Sequence, residues 1–208
     1  TRPIKGTRRG DASPGQLEAS GKDHAELAMI VDLMRNDLGR VCDFGSMEVP
    51  ESRAIERHAA GVDSAGVWHG VATVRGRLRD DAGLAELLRA TFPGGSVTGA
   101  PKIRAMQVIE ELEAEPRGLY TGSVGYISDC GRACLNIAIR TALLSGRAAS
   151  GSHLDVVEEG RWSYGVGAGI VAESDPAAEW EETLAKAEPV LGLGGAYRDQ
   201  PCPTPAIA

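Results

Sequence analysis

Apolar residues recur at helical spacing through residues 20–38, where leucine, isoleucine, valine and methionine return every three or four positions. This period predicts a helix with one buried face. Ser20 stands where a helix cap is expected, Asp23 lies in the acidic first turn, and Gly39 marks the end. Three further helices are predicted on similar patterns: residues 82–91, the stretch from Pro101 as a first helical residue to about 115, and residues 176–188, ending before Pro189.

β-Branched residues are concentrated in a second set of segments. The stretch from Val67 to Leu78 reads VWHGVATVRGRL and predicts a strand. Three more strands are predicted later in the chain, over residues 119–128, 132–144 and 161–172. Because helices and antiparallel-looking strands are mixed along the sequence, the predicted fold class is α+β.

A glycine-rich segment, FPGGSVTGA, occupies residues 92–100. It is close to a phosphate-binding loop, but that motif has lysine directly after its second glycine, and here Ala100 and Pro101 intervene before Lys102. A nucleoside triphosphate site is therefore not expected. Two readings stay open: a tight loop that feeds the next helix, or a backbone cradle for a smaller anion at a helix N-terminus.

Composition narrows the class of protein. The 208 residues are 42% hydrophobic, enough for a core, and no apolar run is long enough to cross a bilayer. With 22 basic and 29 acidic residues the net charge is −7 without a basic stripe, which disfavours a nucleic-acid partner. Four cysteines without ligand spacing and no export leader favour a cytoplasmic protein. We expect one domain over residues 1–191 and a loose Gly/Pro-rich tail over 192–208.

Two acidic pairs are candidates for metal binding. Asp23 and Glu26 stand at i and i+3 on the first long helix, and Glu179 and Glu182 do so on the last, with Lys186 one turn further on. Carboxylates that converge from two helices suit a hard cation such as Mg²⁺. Taken alone, each pair also fits a solvated helix face.

Two polar residues of the predicted strands each allow two readings, and three glycines suggest a place where a ligand reaches the backbone. Arg140 is expected on a strand face, either as an exposed charge or as a clamp for a carboxylate. His69 is a structural strand residue or an acid/base group. Gly165, Gly167 and Gly169 are expected on one strand face, where the absence of side chains would let a ligand reach the backbone.

Seven segments, in order from residue 3 to about 191, resemble the chorismate-utilising enzymes, the family of aminodeoxychorismate, anthranilate, isochorismate and salicylate synthases. They are PIKGTRRG, ELAMIVDLMRNDLGRV, VWHGVATVRGRL, FPGGSVTGAPKIRAMQVIEELE, GLYTGSVGYIS, LNIAIRTALL and YGVGAGIVAESDPAAEWEETLAKAEPVL. The resemblance implies part of the family's α/β-sandwich fold, with largely antiparallel sheets and flanking helices. It covers about the C-terminal half of a typical member, whose general-acid glutamate is expected upstream of Thr1.

The resemblance also implies a magnesium site. Glu26 and Glu182 match the family's Mg²⁺ ligands, and Asp23 and Glu179 match the acidic residues that support them, with Asp23 in place of the usual glutamate. For these pairs the family pattern favours the metal over the solvated face.

The family's other site residues transfer in the same way. Thr7 and His69 match an active-site threonine and histidine. The positions that match substrate contacts are Thr98, Gly99, Tyr126, Arg140, Gly167, Ala168, Gly169 and Lys186.

Lys5 bears on the branch of the family. Most branches have alanine here, whereas aminodeoxychorismate synthases have lysine, which attacks C2 of chorismate before ammonia adds at C4. The resemblance thus implies chorismate as substrate and ammonia from a glutamine amidotransferase, as a subunit or a fused domain. Two alternatives stay open: an anthranilate synthase with lysine in place of alanine, and a non-catalytic binding fragment.

Overall fold

The computed structural model describes residues 1–58, 66–148, 157–172 and 174–191. They fall into two units, Thr1–Ala114 and Glu115–Ala208. The first unit contains β1 (Ile4–Arg9), α1 (Pro14–Glu18), α2 (Gly21–Gly39), β2 (Glu48–His58), β3 (Val67–Arg75), α3 (Leu84–Thr91), α4 (Gly95–Thr98) and α5 (Lys102–Leu112). The second contains β4 (Gly125–Ile127), β5 (Ala133–Leu135), β6 (Ala142–Ala148), β7 (Val157–Tyr164) and α6 (Pro176–Leu191). This mixture of helices and small antiparallel sheets confirms the predicted α+β class.

The core of the first unit lies between α2 and β3. The Ser20 hydroxyl caps α2 by accepting a hydrogen bond from the Asp23 backbone N–H at 3.3 Å. Along the apolar face of the helix, Ile30 and Met34 pack with Val74 of β3 in one buried cluster. The helix predicted from the apolar period is therefore confirmed to within one residue at each end.

The other helices confirm the apolar pattern and correct several boundaries. α3 begins at Leu84 and not at residue 82, and α5 ends at Leu112 and not at about 115. Pro101 has extended backbone angles and precedes α5 as its cap residue, instead of being its first helical residue. The prediction that the last helix ends before Pro189 is wrong, because α6 continues to Leu191. Pro189 cannot donate a backbone hydrogen bond inside the helix, and the helix runs just two residues beyond it. Within the described ranges, no helix has the length and apolarity that a membrane crossing requires.

The first unit has a three-stranded antiparallel sheet with β3 between β1 and β2. β3 begins at the predicted residue but ends at Arg75 instead of Leu78. Beyond Arg75 the backbone turns to another partner, since the Asp43 N–H donates to the Arg77 carbonyl and Leu78 bridges Cys42.

The hydrophobic pattern does not predict the two outer strands of this sheet. β2 reads EVPESRAIERH, and its charged residues are spread over both faces, so no alternation is visible. β1 contains the Ile4–Thr7 motif, which reads as a turn because Gly6 interrupts a short charged stretch. Both strands form because β3 offers them a hydrogen-bonding edge on each side.

A bulge at Gly6 determines which way the side chains of β1 point. Lys5 pairs with Gly70 and Thr7 pairs with His69, so Gly6 is an extra residue opposite a single step of β3. Its φ of 76° is the left-handed conformation that glycine adopts without strain. Because of the extra residue, Lys5 and Arg8 face α2, whereas Thr7 faces the opposite side of the sheet.

The second unit contains shorter strands than its sequence predicts. Of the strand predicted over 119–128 only β4 forms, and the strand predicted over 132–144 is divided into β5 and β6. The break includes Arg140, whose φ of 51° is left-handed. The prediction that Arg140 lies on a strand face is therefore wrong, since this backbone conformation cannot continue a β-ladder.

The strand predicted over 161–172 ends early. β7 stops at Tyr164, so Gly165, Gly167 and Gly169 follow the strand and do not form one of its faces, which corrects that prediction. A run of glycines has little intrinsic strand propensity, and this accounts for the early end. The predicted tail at 192–208 lies outside the described residues.

Three of the cysteines lie in the described part of the chain, and all three are free thiols: Cys42, Cys130 and Cys134. Burial raises the pKa of the Cys42 thiol. A hydrogen bond with the Ser128 hydroxyl lowers the pKa of Cys130 in the turn between β4 and β5. Cys202 lies outside the described residues.

We predict that Gly6→Ala destabilises the protein more than Gly45→Ala does. Both glycines have positive φ, 76° and 78°, so alanine costs each about 1–2 kcal/mol. A methyl group at Gly6 would also lie 2.6 Å from Leu17 Cδ1, whereas nothing lies within 4 Å at Gly45. Crowding should add about 1–3 kcal/mol at Gly6 alone. Urea unfolding measures both variants, and equal losses would contradict the packing described for the bulge.

Candidate functional site

The Lys5 side chain faces the acidic side of α2. Its Nζ donates to Glu26 Oε2 at 3.1 Å, and Lys22 Nζ lies 3.9 Å from the other Glu26 oxygen. The Lys5 and Glu26 side chains are each about one-third exposed, at 34% and 33%. Ion pairs between partly exposed side chains contribute little to the free energy of unfolding. The pair therefore matters for where it places an amine and a carboxylate, and both can be reached from solvent.

Arg8 joins β1 to the first turn of α2. One guanidinium nitrogen donates to Asp23 Oδ2 at 2.9 Å and the other donates to the Thr7 carbonyl at 2.8 Å. This link fixes the strand just beyond the bulge, next to the Lys5–Glu26 pair. Arg8 was not among the site residues predicted from the sequence. The signal was available in Gly6, because a bulge there brings Arg8 to the same face as Lys5.

Thr7 and His69 form a second polar contact on the other face of the sheet. Thr7 Oγ1 lies 3.1 Å from His69 Nδ1, which also lies 3.3 Å from the Gly6 carbonyl oxygen. The His58 ring lies beside His69, with 5.3 Å between their centroids. The structure thus brings Thr7 and His69 together, on the other side of the strand from Lys5.

The glycine loop folds against α2. Gly95 begins the short helix α4, and a Cβ at this position would lie 3.4 Å from Leu33 Cδ1. The Thr98 hydroxyl donates to the Gly94 carbonyl at 3.1 Å, and Gly99 has a φ of 111°. Thr98 and Gly99 are therefore held in one defined conformation by local hydrogen bonds and by a backbone shape that favours glycine.

The second unit has a cavity of about 260 Å³. Its lining consists of Arg140, Tyr164, Glu182, Ala185 and Lys186. Two positive groups face one carboxylate, so the lining has a formal charge of +2 − 1 = +1. Such a lining suits a small anion, and arginine is well shaped to bind a carboxylate through two hydrogen bonds.

Lys186 links α6 to the glycine segment after β7. Its Nζ lies 2.7 Å from Glu182 Oε1 and donates to the Gly167 carbonyl at 2.9 Å. Gly167, with Ala168 and Gly169 after it, is thus brought to the helix that carries Glu182. Tyr126 lies on β4 with 60% of its surface exposed and is not among the cavity-lining residues.

Tyr120 is a residue of this region that the sequence analysis did not find. Its ring lies against Gly165, where a side chain would collide with it, and its hydroxyl approaches Gly167. The Arg117 guanidinium lies 5.9 Å from the centroid of the same ring. Two small residues spaced by two are a signal that a bulky group covers that stretch of backbone.

The acidic residues of the expected metal site are held in different ways. Glu179 accepts a hydrogen bond from the Ser174 hydroxyl at 2.8 Å, whereas Glu26 and Glu182 each lie beside a lysine. Within residues 1–58, 66–148, 157–172 and 174–191, no three histidine, cysteine or carboxylate groups are arranged to hold a metal ion. The carboxylate oxygens are nevertheless the donor type that Mg²⁺ takes.

Residues 1–192 match the family model of chorismate binding enzymes, and the chain belongs to that family. It is 46% identical to an aminodeoxychorismate synthase of Streptomyces griseus over 93% of this chain and 25% of the relative. It is 47% identical to an anthranilate synthase component 1 of Haloarcula marismortui over 89% of this chain and 36% of the relative.

The fold agrees with that membership. The crystal structure of anthranilate synthase component I from Streptococcus pneumoniae superposes with a TM-score of 0.69 at 37% identity, over 90% of this chain and 38% of that one. The chain thus shares the fold of part of that enzyme. It spans between a quarter and two fifths of the length of the curated relatives it matches.

We predict that Gly165→Ala lowers the thermal midpoint of unfolding, whereas Gly169→Ala leaves it nearly unchanged. The methyl group at Gly165 would enter the Tyr120 ring, at a cost of about 1–3 kcal/mol. Nothing lies within 4 Å of a Cβ at Gly169, so the change there should stay within about 0.5 kcal/mol. Thermal unfolding followed by circular dichroism compares the two, and equal midpoints would contradict the packing of Tyr120.

Proposed function

We propose that this chain is part of an aminodeoxychorismate synthase component I, which converts chorismate and ammonia to 4-amino-4-deoxychorismate. The observation that carries the proposal is Lys5, an amine on β1 that faces the acidic residues of α2. Overall identity does not distinguish the branches, since relatives of both names match at 46% and 47%. Lys5 favours the aminodeoxychorismate branch, because in the family pattern the other branches usually have alanine there.

The proposed reaction uses Lys5 as a nucleophile. Its amine, once deprotonated, forms a bond to C2 of chorismate, the ring double bond shifts, and the C4 hydroxyl leaves with a proton as water. Ammonia then forms a bond to C4, the double bond shifts back, and the C2–nitrogen bond to Lys5 breaks. The lysine is regenerated, and the net change is replacement of the hydroxyl by an amino group.

The cavity of the second unit supports binding of a carboxylate of chorismate. The Arg140 guanidinium and the Lys186 ammonium line it together, and Lys186 also donates to the Gly167 carbonyl. Chorismate carries two carboxylates, so a binding site needs positive groups and backbone donors that offset this charge. Thr98 and Gly99 are proposed as further contacts from the glycine loop. Thr7 and His69 are proposed as groups that exchange protons on the family pattern alone, because in this structure they lie on the other face of the sheet from Lys5.

A magnesium ion is proposed as cofactor. Glu26 and Glu182 are its proposed ligands, supported by Asp23 and Glu179, because their oxygen donors suit this ion and match the family's ligand set. Bound Mg²⁺ would offset carboxylate charge and stabilise the hydroxyl as it leaves. In the structure Glu26 and Glu182 each lie beside a lysine ammonium.

A glutamine amidotransferase is the proposed source of ammonia. The relatives from Klebsiella aerogenes and Salmonella typhimurium are named aminodeoxychorismate synthase component 1, which supports a partner component. The partner could be a separate subunit or a fused domain.

Product analysis tests the branch. The complete gene product carrying this sequence is incubated with chorismate, ammonium and Mg²⁺, and the products are identified by mass spectrometry. We expect 4-amino-4-deoxychorismate, and its formation should stop when Mg²⁺ is removed with a chelator. Anthranilate as the main product would contradict the proposed branch and favour the anthranilate synthase alternative.

We predict that Lys5→Ala lowers turnover by about 100-fold or more, because the nucleophile is lost. Lys22→Ala is a matched control, since Lys22 also lies near Glu26, at 3.9 Å, but its side chain is 80% exposed. The control should keep turnover close to that of the unsubstituted protein. Initial rates of chorismate consumption measure both, and normal turnover by Lys5→Ala would contradict the nucleophile role.

A further inference from the structure

Asp37 is the one charged side chain that is buried within the described residues, with 3% of its surface exposed. It lies in the last turn of α2, where no basic residue is present. The C-terminal end of a helix has a partial negative charge, which disfavours a carboxylate. Neither burial nor its own helix favours an aspartate here, so an interaction with another element must stabilise the Asp37 carboxylate.

Lys102 provides that interaction. It is the first residue of α5, and its Nζ donates to Asp37 Oδ2 at 2.7 Å. The N-terminal end of a helix disfavours a cation, and the first turn of α5 has no acidic residue. Each charge thus stands at the wrong end of its own helix, and each is stabilised by the other across 65 residues of sequence. The Lys102 side chain is 21% exposed, so the hydrogen bond is only partly screened by water.

The pair fixes the start of α5 where hydrophobic burial does not. α5 buries none of its residues, and Ile103 and Leu112 are 76% and 78% exposed. Its cap residue, Pro101, makes no side-chain hydrogen bond. Within the described part of the first unit, the Lys102–Asp37 contact is therefore the principal polar link between the start of α5 and α2.

The same face of α2 holds both ends of the segment 95–102, which contains most of the glycine loop. Leu33 and Asp37 stand one helical turn apart. Gly95 packs on Leu33 at the beginning of this segment, and Lys102 pairs with Asp37 at its end. The loop between them is short, and its two ends are set by one rigid helix.

We propose that Asp37 and Lys102 are a positioning pair for residues 95–99. The pair holds Thr98 and Gly99 of this segment in the place where they contact substrate. The proposal rests on the function proposed above for the substrate contact. The pair itself touches no substrate. It acts by fixing the start of α5 against α2, directly after residues 95–99, so its loss should move those residues without removing any contacting group.

Lys102→Met tests the positioning role. It leaves Asp37 buried without its counter-charge and should release the loop. In the complete gene product we expect the amides of Val97, Thr98 and Gly99, which are bonded to Gly94 and Gly95, to exchange hydrogen about tenfold faster or more. We expect KM for chorismate to rise by a similar factor, with a smaller change in kcat. Lys102→Arg, which keeps the charge, should restore most of both.

Met34→Ala separates positioning from a general loss of stability. Met34 is buried in the α2–β3 cluster, so this variant creates a cavity without touching the pair. Its faster exchange should extend over β3 as well as the loop, whereas that of Lys102→Met should be concentrated in the loop. Unchanged loop exchange in Lys102→Met, or the same pattern as in Met34→Ala, would overturn the proposal. The exchange measurement needs no substrate, so failure of the unsubstituted protein to bind chorismate would contradict only the proposed function.

Discussion

The geometry of the first unit depends on the bulge at Gly6. The extra residue changes the register of β1 against β3 between Lys5 and Thr7. As a result Lys5 and Arg8 both face α2, where they pair with Glu26 and Asp23. Thr7 meets His69 on the other face. A regular strand would direct Lys5 and Arg8 to opposite faces and lose one of the two ion pairs.

Both units place a glutamate next to a lysine at the proposed metal site. Each proposed metal ligand, Glu26 in the first unit and Glu182 in the second, lies beside a lysine. Such pairs are worth little as stabilisation when the side chains are partly exposed. They do keep carboxylates and amines at defined, accessible positions, as enzymes of highly charged substrates require. The Asp37–Lys102 pair differs, because its carboxylate is buried and because it joins two elements of the scaffold.

Local patterns in the sequence predicted the elements that depend on local rules. The apolar period and Ser20 predicted α2, and the β-branched run predicted β3, because each rests on neighbouring residues. The sequence pattern did not predict β2, because β2 forms a strand through its pairing with β3 and not through a hydrophobic alternation of its own. Arg140 was placed wrongly because nothing in LNIAIRTALL signals a left-handed residue. The family resemblance supplied the candidate site residues, but no local pattern could show that Lys5 meets Glu26, 21 positions away.

The central claim is that the Lys5 amine attacks chorismate, and trapping the covalent intermediate tests it most directly. The complete gene product is incubated with chorismate and Mg²⁺ in the absence of ammonia, so that the second step cannot displace the lysine. The account predicts an added mass equal to chorismate minus water, located by peptide mapping on Lys5. A protein that turns over chorismate with ammonia but carries no adduct on Lys5, or carries one on a different residue, would contradict the account.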